Sequence, residues 1–294
     1  MIISASRRTD IPALYGEWFR HRLRAGYCLV PNPFNARQVT RVSLLPADVD
    51  AFVFWTRHGA PFLRGALDAL DTLGHRYYFQ YTVTGYGREL EPCVPSLTTA
   101  IEAFVALARR CRKGAVVWRY DPILLAAGQG VAVHLERFAH IATALRGVTE
   151  RVVVSLLDIY RKTERRLRAV YGQASPSAAP RDDELELLCR GLVRIAADNG
   201  MLLSACAEPA LRARYGIERA KCIDDELLRS LFGGAFAARK DPGQRPDCGC
   251  VVSRDIGVAD TCTLGCVFCY ATRSTEAARR RRREHDPQAP MLWS

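Results

Sequence analysis

Six short runs of β-branched and aromatic residues, each followed by apolar residues at helical spacing, constrain this chain more than any other feature of it. They are IISAS (Ile2 to Ser6), AFVFWT (Ala51 to Thr56), YYFQYTVT (Tyr77 to Thr84), AVVWRY (Ala115 to Tyr120), RVVVSL (Arg151 to Leu156) and MLLSAC (Met201 to Cys206). Amphipathic helices are expected near residues 11–25, 62–73, 97–110, 132–146 and 183–198. Near-continuous apolar strands are those buried on both faces, as in parallel sheets. Alternating β and α units then demand right-handed crossovers, in an open doubly wound sheet or a barrel. Six units favour an α/β fold of the partial (β/α)6, TIM-like barrel kind over residues 1–206. YCLVPNPFNARQVTRVSL reads as an inserted hairpin, and Tyr171 to Arg181, rich in Ala, Ser and Pro, as a flexible loop.

Just past the strand ends stand polar residues: Arg7, Arg8, Thr9 and Asp10; Trp55 and Thr56; Thr82 and Thr84; Arg119, Tyr120 and Asp121; Ser155 and Asp158; Cys206 and Glu208. In barrels and open α/β sheets that rim is where sites are built. Any one of these residues is equally explained as the polar end of a strand. Their shared location is what points to a site.

Cysteine use narrows the chemistry. There are eleven cysteines, seven of them after residue 200. Without a secretory leader such thiols are expected to be reduced or metal-bound in a soluble, cytoplasmic protein, and no apolar run reaches the about 18 residues of a membrane span. DTCTLGCVFCYA holds Cys262, Cys266 and Cys269 in a C-x3-C-x2-C spacing. A closed zinc site wants four ligands, whereas three thiolates suit three irons of a cubane cluster and leave the fourth iron open to a small ligand. Cys206, Cys222, Cys248 and Cys250 form a looser quartet, the complement for a fully ligated second 4Fe-4S cluster or for one zinc ion. Coordination there would tie down a segment expected to have few apolar residues of its own. Cys28, Cys93, Cys111 and Cys189 read as structural thiols, and the six histidines, standing singly, are given no role as ligands. This organises the chain into a barrel core (1–206), a cysteine-rich cluster-binding segment packed on it (207–270) and a basic tail (271–294).

The net charge of +11 points to an anionic partner, a nucleic acid or a phosphorylated small molecule, although the unbroken run Arg279 to Arg283 reads first as a solvated tail.

The C-x3-C-x-aromatic-C pattern, with Phe268 at the aromatic position, resembles that of radical S-adenosylmethionine (SAM) enzymes. The whole chain resembles a bacterial family known chiefly as a domain of unknown function and assigned to radical SAM proteins with a C-terminal motif. The likeness runs through ISASRRTDIPA, NPFN, VFWTR, YYFQYTVTGY, WRYDPI, the CAE and CID segments, QRPDCGC, SRDIG and TCTLGCVFCYA. It implies a radical SAM barrel with its cluster loop at the C-terminus, where most of that superfamily carries the loop after the first strand; here RRTD follows that strand, with no cysteine. It further implies a 4Fe-4S cluster on Cys262, Cys266 and Cys269 that binds SAM, with Phe268 beside the adenine, and reductive cleavage to a 5′-deoxyadenosyl radical. Tyr270, Thr82 and Ser155 are further cofactor-binding candidates, and Arg7, Arg8, Asp10, Arg119, Tyr120, Asp121 and Glu208 are candidates for substrate contact or catalysis. One member type makes thionucleosides of the albomycin kind, exchanging a sugar oxygen for sulfur, which would suit an auxiliary 4Fe-4S cluster as sulfur source and a phosphorylated nucleoside as substrate. A reductase or flavodoxin-type donor would supply the electron. Two other readings stay open: a zinc-stabilised nucleic-acid-binding protein, and a radical SAM enzyme acting on DNA or RNA.

Overall fold

The computed structural model describes residues 1–172 and 180–293. Its strands are β1 (Ile2–Ala5), β2 (Tyr27–Asn32), β3 (Asn35–Ser43), β4 (Ala51–Thr56), β5 (Tyr77–Thr82), β6 (Val116–Ile123), β7 (Arg151–Leu156), β8 (Leu202–Ala205), β9 (Glu218–Arg219) and β10 (Arg254–Asp255). Eight of them form one sheet, in the order β10-β1-β4-β5-β6-β7-β8-β9, with parallel pairings throughout. The fold is α/β. All six expected strands are present, β4 and β7 with the expected ends and the others shifted by one to three residues at an end. The inserted hairpin is β2–β3, an antiparallel pair outside the main sheet.

The expected helices are also found, the first divided into Ile11–Leu14 and Gly16–Ala25 at Tyr15, the second into a 3-10 turn at Ala60–Leu63 and helix Ala66–Thr72. Helices Arg161–Tyr171, Pro209–Tyr215, Asp225–Phe232 and Thr275–Glu284 complete the set among the described residues. Of the expected loop at Tyr171 to Arg181, residues 173–179 lie outside the described residues; Tyr171 ends one helix and Arg181 caps the next, Asp182–Asp198.

The two sheet faces are covered differently. On one, Phe52, Phe54 and Phe79 pack with Phe19 and Phe62 from the helical layer, Phe54 lying 5.3 Å from Phe19 and 5.0 Å from Phe79 between ring centroids. Such aromatic pairs add about 1 kcal/mol each to area burial. On the other face, Ile2, Val53, Tyr78 and Val117 pack against Ile223, Leu227, Leu228, Leu231, Phe236 and Val251. Here the expectation of an apolar-poor segment is corrected: helix Asp225–Phe232 and its flanks supply a hydrophobic lid, which explains why the strands are apolar on both sides. Tyr78 Oη and Gln80 Nε2 both donate to the Cys222 carbonyl (2.7 and 2.9 Å), fixing that segment across the middle of the sheet.

The arginine run is not a loose tail. It lies on helix Thr275–Glu284, with four of its arginines exposed, and the chain then returns over the N-terminal helices. Trp18 Nε1 donates to Ala289 O (3.0 Å), Arg22 to Gln288 O (2.7 Å) and Leu29 N to Pro290 O (2.8 Å). Among the described residues no helix is long and apolar enough to cross a membrane.

Strand β10, only two residues long, is held by chemistry rather than by length. The Asp255 carboxylate accepts from Ser4 Oγ (3.0 Å), Ser6 Oγ (2.7 Å), Arg7 N (2.8 Å) and Gly257 N (2.9 Å). Replacing Asp255 by Ala strands buried donors, and Asp255→Ala is expected to cost about 3 kcal/mol, measured as a lowered urea midpoint with an unchanged slope; Asp255→Asn, which keeps one acceptor oxygen, should cost less.

Candidate functional site

The carboxyl ends of the parallel strands open into a cavity of about 440 Å³, and its wall includes Cys206, Cys222, Cys248, Cys250, Cys262, Cys266 and Cys269. Four separate stretches of chain bring these thiols together. Arg7, Arg8, Asp10, Thr82, Arg119, Asp121, Ser155, Phe268 and Tyr270, all singled out in the sequence, also line it. Tyr120 and Glu208 do not.

Strand parity explains Tyr120. Along β6, Arg119 and Asp121 project to the cavity side, so Tyr120 projects into the helical layer, where its hydroxyl meets His134 Nδ1 (2.8 Å). Glu208 heads helix Pro209–Tyr215 outside the cavity, accepts from Leu156 N (2.9 Å) and lines a separate pocket with Arg212 and Arg219.

Arg119 is the centre of the quartet's surroundings. Its guanidinium grips Asp121 through Nε (2.9 Å) and Nη2 (2.6 Å), while Nη1 reaches Gln80 Oε1 (3.3 Å) and Cys222 Sγ (2.9 Å). The Trp55 ring stands between two guanidiniums, 5.2 Å from that of Arg7 and 5.1 Å from that of Arg119. Cys206 and Cys222 are 3.4 Å apart, Sγ to Sγ, and Ile223 N donates to Cys250 Sγ (3.4 Å). The hydrogen bond with Cys222, aided by Arg119, draws the Cys206 thiol down to about 6. Cys250 is likewise held low, by Cys222 and Cys248 and then by Arg7. Cys222, whose thiol donates to Cys206, is driven up. Cys206 and Cys250 are thus held toward the thiolate beside fixed positive charge, whereas Cys222 and Cys248 are held as thiols.

Around the triple, the loop is pinned from several elements. Tyr15 Oη donates to Thr261 O (2.7 Å), Cys93 N to Leu264 O (3.1 Å), Val267 N to Leu90 O (2.9 Å) and Tyr270 Oη to Arg7 O (3.1 Å). Gly265 turns the loop at a φ of +74°, a conformation that side chains disfavour. Burial pushes Cys262 well up and Cys266 up to about 12, the latter opposed by Arg57.

Arg57 and Glu91 were missed by sequence reasoning. The Arg57 guanidinium forms an ion pair with buried Glu91, donates to Thr84 Oγ1 (3.3 Å) and to Asp121 O (3.4 Å), and lies 5.4 Å from the Phe268 ring. Arg57 was marked only by its place directly after the strand ending in Trp55 and Thr56 and as the last residue of the VFWTR stretch. Asp10 accepts from Ala13 N (2.9 Å) and Arg57 N (2.7 Å), joining the first two strand ends; burial raises it to about 6. Arg8 is tied back through Nη1 to Gly257 O (3.4 Å), and Ser155 Oγ reaches Asp121 Oδ2 (3.4 Å). At the mouth, Asp158 pairs with Arg245, and the rings of Tyr160 and Tyr270 are 6.2 Å apart. Among the described residues no three His, Cys, Asp or Glu side chains form a ready metal-binding group.

Fold and site together define an α/β protein whose parallel strands end in a cavity walled by cysteine and arginine. The chain belongs to the DUF1848 family, a domain of unknown function, which matches residues 2–271. No curated protein matches it. Among solved structures it is similar to a triazine hydrolase variant at 12% identity, over 65% of this chain and 47% of that chain, with a TM-score of 0.31. The chain thus spans under half the length of that hydrolase, and the likeness is too slight to bear on function.

Glu208 supplies a pH test of this geometry. Burial, ahead of the nearby Asp158 charge, raises its carboxyl from 4.5 to about 7. Between those values the folded chain keeps a proton that the unfolded chain has released, so stability falls as pH rises. Glu208→Gln keeps an acceptor for Leu156 N and is expected to flatten that fall, seen in urea midpoints at about pH 5 and about pH 8.

Proposed function

We propose that the protein is a radical SAM enzyme whose sheet is a partial barrel of that type, acting on a small nucleotide-like molecule. One observation carries the reading: the C-x3-C-x2-C triple and the four-cysteine quartet, far apart in sequence, line a single cavity at the strand ends. The donor sets fit the groups this requires. Three thiols leave one iron of a 4Fe-4S cluster open for SAM, and four thiols complete a second cluster. A cubane binds each thiolate through a different iron, so its ligands need not converge on one point as they do around a single ion. Arg7 Nη2 is buried with no partner, and its guanidinium lies near Cys250 and Cys222, as expected where an anionic group belongs. When bound and reduced, the first cluster supplies the electron that cleaves SAM to a 5′-deoxyadenosyl radical.

The protein's own residues hold and shield this chemistry. Cys262, Cys266 and Cys269 hold the first cluster, and Cys206, Cys222, Cys248 and Cys250 the auxiliary one. Arg57 fixes the Phe268 ring against the loop, where the ring offers a flat apolar wall for the adenine. Arg119 and Arg7 compensate thiolate charge beside the quartet. Thr82, Ser155 and Tyr270 lie within reach of a bound cofactor, and Arg8 gives the wall a charge suited to a phosphorylated nucleoside. Sulfur-for-oxygen exchange, with the auxiliary cluster as sulfur source, is the transformation we favour, and a flavodoxin-type protein or reductase the electron donor.

Anaerobically purified protein is expected to carry about seven to eight irons with matching sulfide, and to form 5′-deoxyadenosine when reduced with dithionite in the presence of SAM. Cys266→Ala should abolish that product. Cys248→Ala should lower iron by about half and leave some SAM cleavage. A zinc-only protein would overturn the reading, and an auxiliary cluster left intact after single turnover would overturn sulfur donation.

A further inference from the structure

The cysteine loop has two sides. Cys262, Leu264, Cys266, Phe268 and Cys269 line the cavity, whereas the intervening Thr263, Gly265 and Val267 are partly exposed on the outside. Two basic helices border that outer side. Helix Arg161–Tyr171 is tied to the loop through Arg166, which donates to the carbonyls of Cys266 (3.5 Å) and Cys269, and it carries exposed Arg161, Lys162 and Arg165. Helix Thr275–Glu284 starts against Gly265, where a Cβ would lie 3.8 Å from Thr275 Cγ2. Its exposed Arg279 reaches within 3.6 Å of Cys93 Sγ, in the segment that donates to Leu264 O. Arg88, also exposed, donates to Pro92 O and Val94 O (both 2.8 Å) beside it. Among the described residues these five cations have no carboxylate within 4.0 Å, and Glu164 on the first helix is taken up by Arg168 (2.7 Å).

We propose that an acidic one-electron carrier protein docks on this outer side of the loop, over Gly265 and Val267, held by Arg88, Arg161, Lys162, Arg165 and Arg279. The proposal rests on the reading of the inner thiols as iron–sulfur ligands. In the step it serves, the carrier is oxidised by one electron and the cluster held by Cys262, Cys266 and Cys269 is reduced by one; no bond forms or breaks. Substrate enters on the cavity side and the electron on the other, so the two do not compete for one opening. The patch fits a protein better than a polynucleotide, because single-stranded nucleic acid is held by aromatic platforms set among the cations. Apart from partly buried Tyr171, neither helix has an aromatic residue within it, and the exposed rings next to them, Tyr160 and Tyr270, line the cavity side of the loop.

A flavodoxin is the probe. Its binding to the anaerobic protein is titrated at about 0.05 M and about 0.3 M salt, and SAM cleavage is measured with reduced flavodoxin and, separately, with dithionite. The double variant Arg165→Glu, Arg279→Glu is expected to weaken flavodoxin binding at least about tenfold and to slow flavodoxin-driven cleavage alike, with dithionite-driven cleavage unchanged. Arg112→Glu, an exposed charge at the opposite ends of the strands, should change neither. Equal flavodoxin affinity in the double variant, or displacement of flavodoxin by single-stranded DNA at equal concentration, would overturn the proposal. Absence of dithionite-driven cleavage in the unsubstituted protein sinks the radical SAM reading instead, while the binding titration still decides the surface.

Discussion

Everything at the cavity depends on one carboxylate. Asp255 accepts from two serine hydroxyls and a backbone amide at the end of β1, and from Gly257 just past its own strand. A two-residue strand buries too little to hold itself in a sheet. Charge-assisted hydrogen bonds to a carboxylate, each roughly twice as strong as neutral ones, supply what its length does not. Through that grip the last segment of the family domain is placed beside the first strand, and Tyr270 can then close on the Arg7 carbonyl.

The second constraint is charge inside a low-dielectric wall. Arg57 and Arg119 are largely removed from water, a state that costs several kcal/mol per ion unless each is paired and hydrogen-bonded. Both are: Arg57 by Glu91, Thr84 and Asp121 O, Arg119 by Asp121, Gln80 and Cys222. Each also has a further cysteine nearby, Cys266 for Arg57 and Cys206 for Arg119. Such arrangements fix side chains in one orientation, so the two thiol groups and the space between them are set by arginine as much as by backbone.

How much of this was legible in the sequence depends on whether the signal was local. β4 was readable at both ends because its apolar run lies between Asp50 and Arg57, and β7 at its start because Glu150 and Arg151 precede its run of valines. β9 and β10 were not, since two residues carry no period and β10 is defined by a carboxylate about 250 positions from its partners. The seven cysteines could be named from crowding and spacing, but Arg57 and Glu91 could not, being 34 residues apart with nothing to couple them. Tyr120 was misplaced for a simpler reason: neighbours on a strand face opposite ways, and choosing Arg119 and Asp121 already excluded the residue between. The segment over the sheet was underestimated because Ile223, Leu227, Leu228 and Leu231 are few, yet all point at the same place.

The lateness of β10 also has a meaning in time. A chain leaves the ribosome from its N-terminus, and domains fold largely in that order. Strands β1 to β8 and the arginines of the rim are synthesised before Cys222 and long before Cys262, and the apolar segment from Ile223 to Val251 that covers the second sheet face follows ahead of the last three thiols. A nascent chain offers no early cluster of exposed cysteines to be misloaded or oxidised, and Asp255, arriving seven residues ahead of Cys262, aligns the final loop just before its first sulfur appears.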